Sequence, residues 1–411
     1  MSKIKTIDLF AGCGGLTEGF AQTACYETKA CVEWETAQCM NLRKRLANKW
    51  GIADADQRVV RFDIQRTDEL INGFSDPEYG KSVGLHSLVG DGLDLVIGGP
   101  PCQAYSIAGR IRDENGMKND YRNFLFESYL KVVKHFQPKA FVFENVPGLL
   151  SANPTGIPIV ELIQKQFSEA GYAIIPDLRK AVVDVADYGV AQHRRRVIIL
   201  GLNKEYYGDS TFKLLADFYQ TVLPKYREQT PKTLKDAISD LPGLYPIDNA
   251  ISVNGRKTMH SLPNTDIKNH VARFQNERDI SLFKMLANDI ETGENKYLSI
   301  DARKELYTAY TGKTSNLHKY HVLKWDEPST TIPAHLCKDG LRHIHPDSTQ
   351  ARTITVREAA RIQSFPDDYE FIGAMTDQYK MIGNAVPPEF ARRLALAIKE
   401  VLFSNKRESV K

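Results

Sequence analysis

The first 200 residues repeat one pattern: a short apolar run, a turn, then an amphipathic stretch of helix length. The apolar runs are Thr6–Phe10, Lys29–Glu33, Val59–Asp63, Leu93–Gly98, Lys139–Glu144 and Arg196–Leu202. Helical segments are expected at Thr17–Cys25, Thr36–Lys49 and Tyr121–Phe136. Strands separated by helix-length segments pair in parallel through crossover helices rather than as hairpins. The expected fold class is therefore α/β, a doubly wound, mostly parallel sheet. Ligands of such sheets sit beyond the carboxyl ends of the strands. The chemistry is to be sought in the loops that follow them.

The pattern dissolves near residue 205. From there to about 350 the chain is polar and rich in turn residues, with acidic and basic side chains in balance. Helical periodicity returns at Thr355–Ser364 and Pro388–Phe403, the latter with Phe390, Leu394, Ala397, Ile398 and Val401 at helical spacing. Residues 1–204 and 379–411 are expected to form one domain, with 205–378 a smaller domain inserted in it. A chain of 411 residues accommodates two or three domains. With 42% hydrophobic and 26% charged residues it is neither disordered nor fibrous.

Net charge is only +3, so any nucleic-acid binding must come from local basic surface. The six cysteines, at 13, 25, 31, 39, 102 and 337, form no C-x-x-C pair. No signal peptide precedes them, so they read as reduced thiols. No window approaches ~18 apolar residues, the length of a membrane span. The expected location is the cytoplasm.

Four segments carry chemistry. The loop Asp8-Leu9-Phe10-Ala11-Gly12-Cys13-Gly14-Gly15-Leu16 places glycines between a strand and a helix. Such a loop lets a ligand approach the backbone at a helix N-terminus. The third glycine of a dinucleotide fingerprint is replaced by Thr17, which points to a smaller nucleoside ligand. An acid about 20 residues further on holds a ribose in such sites, and Glu33, followed by Trp34, stands there. An ordinary tight turn beside an exposed acid is the other reading of this loop, and Glu33-Trp34 weighs against it. Second, Gly98-Gly99-Pro100-Pro101-Cys102-Gln103 presents a thiol on a stiff loop after a strand. Third, Phe141-Val142-Phe143-Glu144-Asn145-Val146 ends an apolar strand in a carboxylate. Cys102 and Glu144, on successive parallel strands, should reach the same sheet edge, a nucleophile beside an acid. Fourth, Gln192-His193-Arg194-Arg195-Arg196 opens a strand. Alternation puts Arg194 and Arg196 on one face, suited to an anion, either a phosphate or a carboxylate.

With these residues on the page, the chain resembles the DNA (cytosine-5) methyltransferases of bacterial type. Their glycine loop, Pro-Cys-Gln loop, Glu-Asn-Val motif and paired-arginine motif match the four segments in order. Arg357-Glu358-Ala359-Ala360-Arg361-Ile362-Gln363-Ser364-Phe365-Pro366 is similar to their penultimate motif, with Ser364 where Gly is usual. Gly383-Asn384-Ala385-Val386-Pro387-Pro388 is similar to the last.

The resemblance implies a Rossmann-like methyltransferase domain with an inserted target-recognition domain. It implies transfer of a methyl group from S-adenosyl-L-methionine to carbon 5 of a cytosine in double-stranded DNA. Cys102 would be the nucleophile and Glu144 the acid at ring nitrogen 3. Arg194 would hold the base's carbonyl oxygen, and Arg196 would fix Glu144 or the loop. The cytosine must be flipped out of the helix. A loop with Gly109, Arg110, Arg112 and Gly116 would close over the DNA. The implied cofactor set is Phe10, Gly12, Gly14, Gly15, Leu16, Glu33, Trp34, Asp63, Ile64, Pro101, Leu125, Asn384 and Ala385. No metal is implied, since His335, Cys337, His343 and His345 lack paired-ligand spacing.

The implied setting is a restriction-modification system, with a cognate restriction endonuclease as a partner in function and a monomeric enzyme. Three other readings stand beside this one. A tRNA cytosine-5 methyltransferase would usually carry a Cys-Phe-Thr tripeptide, which is absent. A non-catalytic DNA-binding relative has no need of Cys102, Glu144 and Arg194. A nicotinamide dehydrogenase would need the missing third glycine.

Overall fold

A computed structural model describes residues 2–101, 125–153, 158–253, 255–314 and 319–403. The chain divides into two compact units. The first comprises Met1–Gly189, Arg195–Gln229 and Ala385–Lys411; the second comprises Val190–Arg194 and Thr230–Asn384. The first unit thus runs to Gln229 rather than 204, and resumes at 385 rather than 379. Side chains after 204 explain the extension, because Tyr219 lies on the last long strand. Its hydroxyl accepts from the Leu200 N–H and donates to the Ile198 carbonyl, both at 2.8 Å.

The first unit is built on an eight-stranded sheet. Its strands are β1 (Ile4–Leu9), β2 (Tyr26–Glu33), β3 (Val59–Arg61), β6 (Leu95–Gly98), β7 (Ala140–Asn145), β8 (Tyr172–Ala173), β9 (Val182–Asp184) and β10 (Arg195–Asn203). Strands β4 (Phe74–Asp76) and β5 (Gly80–Ser82) form a separate small hairpin. The order is β3-β2-β1-β6-β7-β10-β8, with β9 also on β10. Strands β1, β2, β3, β6 and β7 are mutually parallel, and β10 is antiparallel to its neighbours. The sheet is thus mostly parallel, as the strand–helix alternation requires.

Burial on both faces is what makes these strands continuous apolar runs. Ile7, Leu9, Val96, Phe141, Phe143, Val197 and Ile199 all belong to one core cluster. The helix Leu125–Phe136 adds Phe126, Tyr129, Leu130 and Val133 to it. The chain winds outward from β1 to β3, then returns to place β6 on the other side of β1. That reversal is a topological switch point, where the crossovers leave to opposite sides and open a crevice at the carboxyl ends. Leu9 and Gly98 pair across it. The first glycine loop and the Gly98–Pro101 loop therefore leave the sheet at the same level.

The second unit has no extended sheet among its described residues. It holds a hairpin of β11 (Pro246–Val253) and β12 (Arg256–His260), and helices Glu277–Glu291, Ile300–Thr311, Val356–Ile362 and Met375–Asn384. Leu282, Phe283, Leu286, Leu306, Tyr320, Val322 and Ile344 form an apolar cluster. Much of the remaining interior is polar. Arg352 and Glu358 are buried and doubly bonded, Nη2 to Oε1 at 2.6 Å and Nη1 to Oε2 at 2.7 Å. Thr355 and Glu358 close a capping box on the helix that follows. Burial alone would raise the Glu358 pKa, but the charge and hydrogen bonds of Arg352 outweigh it and hold it well below the carboxylate range. Arg357, also buried, donates to the Lys268, Pro366 and Tyr369 carbonyls. Ser364 lies just past the helix rather than within it, at φ 65°. That left-handed conformation is the one glycine adopts most cheaply.

Candidate active site

In the first loop, Gly14 adopts φ 87° as the residue before the helix Gly15–Gln22. A side chain there would be strained and would meet Leu42. The loop is tied to β2 by Ala11 N–H to the Val32 carbonyl (3.0 Å) and Gly12 N–H to Glu33 Oε2 (2.9 Å). Glu33 Oε1 accepts from the Trp34 and Glu35 N–H groups at 2.8 and 2.9 Å. A carboxylate offers about four acceptor sites. Among the described residues one direction on Oε2 therefore remains. Burial raises the Glu33 pKa, partly offset by these backbone N–H groups.

Phe10 leaves β1 at φ 59°. Trp34, just after β2, is 50% exposed. Asp63 follows β3 and caps the Gln65 N–H at 3.0 Å, with buried Ile64 beside it. Leu16 is buried, and a Cβ on Gly15 would lie 3.1 Å from that of Ala385. The structure thus gathers Phe10, Gly12, Gly14, Gly15, Leu16, Glu33 and Ala385 around one loop, with Trp34, Asp63 and Ile64 at the ends of the next two strands. Leu125 begins its helix as a buried residue. Asn384 is the last residue of the second unit.

Beneath the loop, Asp8 is buried, with Oδ2 accepting from the Thr17 hydroxyl at 2.6 Å. Burial pushes its carboxyl up to about 7, against the lowering effect of Thr17. Sequence reasoning assigned it no role.

Across the switch point, Gly99 and Pro100 follow β6 and Pro101 is exposed. A Cβ on Gly99 would lie 2.6 Å from Glu144 Oε2, so a side chain there would displace the carboxylate. Glu144, the penultimate residue of β7, has its Oε1 2.8 Å from Arg196 Nε. Both side chains are only 12–13% exposed. Asn145, buried, donates to the Pro100 carbonyl at 3.3 Å and accepts from the Val146 N–H at 2.8 Å. It ties the end of β7 to the loop before Cys102, a part that sequence reasoning quoted in a motif without assigning. Cys102, and Gly109, Arg110, Arg112 and Gly116 after it, lie outside the described residues.

Arg194 and Arg196 fall in different units. Arg196 is in the first unit at Glu144, whereas Arg194 belongs to the second. Arg194 is buried, and its Nη1 and Nη2 donate to the Ile332 and Gly383 carbonyls, each at 3.0 Å. Gln192 likewise donates to the Ile362 carbonyl and accepts from the Ile332 N–H. Strand alternation put the two arginines together, but β10 begins only at Arg195, so alternation does not reach Arg194.

A nucleoside methyl donor fits the first loop. A buried carboxylate with one open acceptor site, a half-exposed indole and a second acid offer groups for ribose, adenine and its amino group. Among the described residues, no group of three His, Cys, Asp or Glu is placed to hold a metal ion. None of their helices is long and apolar enough to cross a membrane.

The fold and these loops define an α/β methyltransferase. A model of the C-5 cytosine-specific DNA methylases matches residues 4–400. The chain belongs to that family and is a DNA (cytosine-5) methyltransferase, requiring a methyl donor and acting on DNA. It is 34% identical to the type II methyltransferase M.Bpa9945I of Bacillus paralicheniformis, over 96% of this chain and 98% of that one. It is 32% identical to M.NgoPII of Neisseria gonorrhoeae, over 97% and 96%. Among solved structures, a candidate DNA modification methyltransferase encoded within an E. coli prophage superposes with a TM-score of 0.61 at 23% identity. That pair covers 98% of this chain and all of the other. The S. pombe Dnmt2 methyltransferase superposes with 0.54 at 14% identity, over 98% and 100%. These two likenesses concern the fold.

Proposed function

We propose that the protein methylates carbon 5 of a cytosine within a specific double-stranded DNA sequence, using S-adenosyl-L-methionine, through a covalent adduct with Cys102. The observation that carries this reading is the Glu144–Arg196 pair at 2.8 Å, packed against Gly99 three residues before Cys102. S-adenosyl-L-methionine, when bound, supplies an electrophilic methyl group. Glu33 takes a ribose hydroxyl on its open acceptor site, Trp34 covers the adenine face, and Asp63 accepts from the adenine amino group.

The Cys102 thiolate adds to carbon 6 of a cytosine flipped out of the helix. Glu144 stabilises or protonates ring nitrogen 3, so that charge does not accumulate and carbon 5 becomes the nucleophile. After methyl transfer a base removes the carbon-5 proton and Cys102 is eliminated. Arg196, bonded to Glu144, orients that carboxyl and stands beside it to meet the base's carbonyl oxygen. This shifts to Arg196 the contact that the motif alone assigned to Arg194. The bonds of Arg194 to two backbone carbonyls favour a positioning role within the second unit.

The second unit reads the target. The similarity to type II methyltransferases favours a modification enzyme that protects DNA from a cognate endonuclease in a bacterial cytoplasm. Bisulfite or nanopore sequencing of DNA from cells expressing the protein tests the proposal. Methylated cytosines confined to one sequence are expected, and their absence would refute it.

A further inference from the structure

Arg61, the last residue of β3, belongs to none of the motifs. It pairs in register with Glu33 across the parallel β2–β3 ladder, so both side chains leave the sheet on one face at its carboxyl edge. Arg61 Nε donates to the Trp34 carbonyl at 3.3 Å. Its Nη1 donates to the Glu78 carbonyl at 2.7 Å. Its Cζ lies 5.0 Å from the centroid of the Tyr79 ring, within the range of a cation–π contact. One planar cation thus joins the residue after β2 to the turn of the β4–β5 hairpin.

Two strands of three residues are not stable alone, and this hairpin is fixed from below. Phe74 stacks on Phe62 with ring centroids 3.9 Å apart, and Tyr79 meets Phe62 edge-on at 5.1 Å. Asp76 accepts from Arg66 Nη1 at 2.7 Å and from the Glu78 and Tyr79 N–H groups at 2.8 and 3.1 Å. The turn is therefore an anchor against which Arg61 can hold Trp34. The hairpin also reaches the neighbouring acid. Partial burial, then the charges of Glu78 and Asp63, raise the Tyr79 hydroxyl above its ordinary pKa, which requires Asp63 to lie near it.

We propose that Arg61 is a positioning residue for the methyl donor, clamping Trp34 to the β4–β5 turn so that the indole is held at the adenine end of the site. This rests on the reading that Trp34 covers the adenine. The remaining nitrogen, Nη2, stands 3.5 Å from Glu78 Oε1, so the guanidinium is engaged by protein partners and acts on the cofactor through Trp34. A staple for the hairpin alone would need only Glu78 and Tyr79. The bond to the Trp34 carbonyl is what links the hairpin to the site.

Calorimetry on the full chain with S-adenosyl-L-homocysteine tests this with wild type, Trp34→Ala, Arg61→Ala and the double variant. Arg61→Ala is expected to weaken binding about 3- to 10-fold, the usual effect of losing a hydrogen bond. It should raise KM for S-adenosyl-L-methionine more than it lowers kcat. Effects that run through one residue do not add, whereas independent ones do. The double variant should therefore bind about as weakly as Trp34→Ala. Additive losses, or unchanged affinity in Arg61→Ala, would overturn the clamp while leaving Trp34 at the adenine. Wild-type affinity in Trp34→Ala would instead remove the adenine reading, and the clamp with it. Should Arg61→Ala not fold, Arg61→Met, which keeps the apolar stem, takes its place in the cycle.

Discussion

Each unit seals an Arg–Glu pair in its interior, Arg45–Glu18 in the first and Arg352–Glu358 in the second, but the units differ in the pair nearest their family motifs. In the first, an ion pair at the sheet edge, Glu144–Arg196, remains 12–13% exposed and stands beside the loop leading to Cys102. In the second, the Arg352–Glu358 pair is sealed in the interior and bonded to a helix cap. The first unit is built on a sheet with apolar faces, and Glu33 and Glu144 stand at its strand ends. The second has little regular sheet and uses its family motif, Arg357-Glu358, as internal scaffolding. The same residue types thus stand at a strand end in the first unit's pair and within a helix-capping network in the second's.

The largest expected effect breaks the comparison at its first member. Glu144→Ala should lower methyl transfer about 10²- to 10⁴-fold, the usual contribution of a positioned acid or base. Denaturant melts should show a smaller loss of stability than in the variant considered next. An active Glu144→Ala enzyme would remove the carboxyl from the mechanism.

Arg352→Ala strands a buried carboxylate, which costs about 3–5 kcal/mol. Urea unfolding should show that loss, and the paired change Arg352→Met with Glu358→Leu should recover part of it. An unchanged midpoint for the single variant would mean that the pair is not a scaffold.

Glu33→Ala removes a charged acceptor, a loss of about 1.5–3 kcal/mol in S-adenosyl-L-methionine binding. Calorimetry should find affinity lower by about tenfold or more. Unchanged affinity in a folded variant would refute the ribose assignment.

The smallest effect is a contrast in pH dependence. Burial lowers His343 and His345 to about 3 and His260 to about 4, and Arg charge nearby acts in the same direction. Unfolding lets these rings take up protons below their ordinary value of 6.5, so the second unit loses stability as pH falls from 6.5 toward 4. Asp8 has the opposite sign. Its carboxyl is raised to about 7, so its contribution is present at low pH and is lost as pH rises through 7. Amide exchange at pH 7 and 5, corrected for intrinsic rates, should show protection falling in the second unit more than in the first. Equal changes would contradict the contrast.

Legibility in the sequence follows the same division. Parallel strands buried on both faces read as apolar runs, so the sheet, its crossovers and the loops at its carboxyl edge were visible. The antiparallel direction of β10 was not, because an apolar run carries no polarity. Nor was the separation of Arg194 from Arg196, which depends on the strand starting one residue later. Beside its apolar cluster, the second unit's interior holds Arg352, Glu358, Arg357 and buried histidines, which have no period to detect. Its hairpin had one local signal, Asn254-Gly255, a favoured hairpin-turn dipeptide. Pro246, Asp248 and Asn249 obscured it, since bulged exposed strands lack alternation.

The central claim is that Cys102 is the nucleophile, and a fluorinated substrate tests it most directly. Duplex DNA carrying 5-fluorocytosine at the target site, incubated with S-adenosyl-L-methionine, should trap wild-type protein covalently. Fluorine cannot leave as the proton does, so elimination of Cys102 is blocked after methylation. Cys102→Ser should bind DNA and cofactor yet form no adduct. A thiol, with a reference pKa of about 8.5, ionises far more readily than a hydroxyl and attacks a polarised ring carbon better. A shifted band on a denaturing gel for wild type, and none for Cys102→Ser, is the predicted result. An adduct with the variant, or none with wild type on a verified site, would contradict the account.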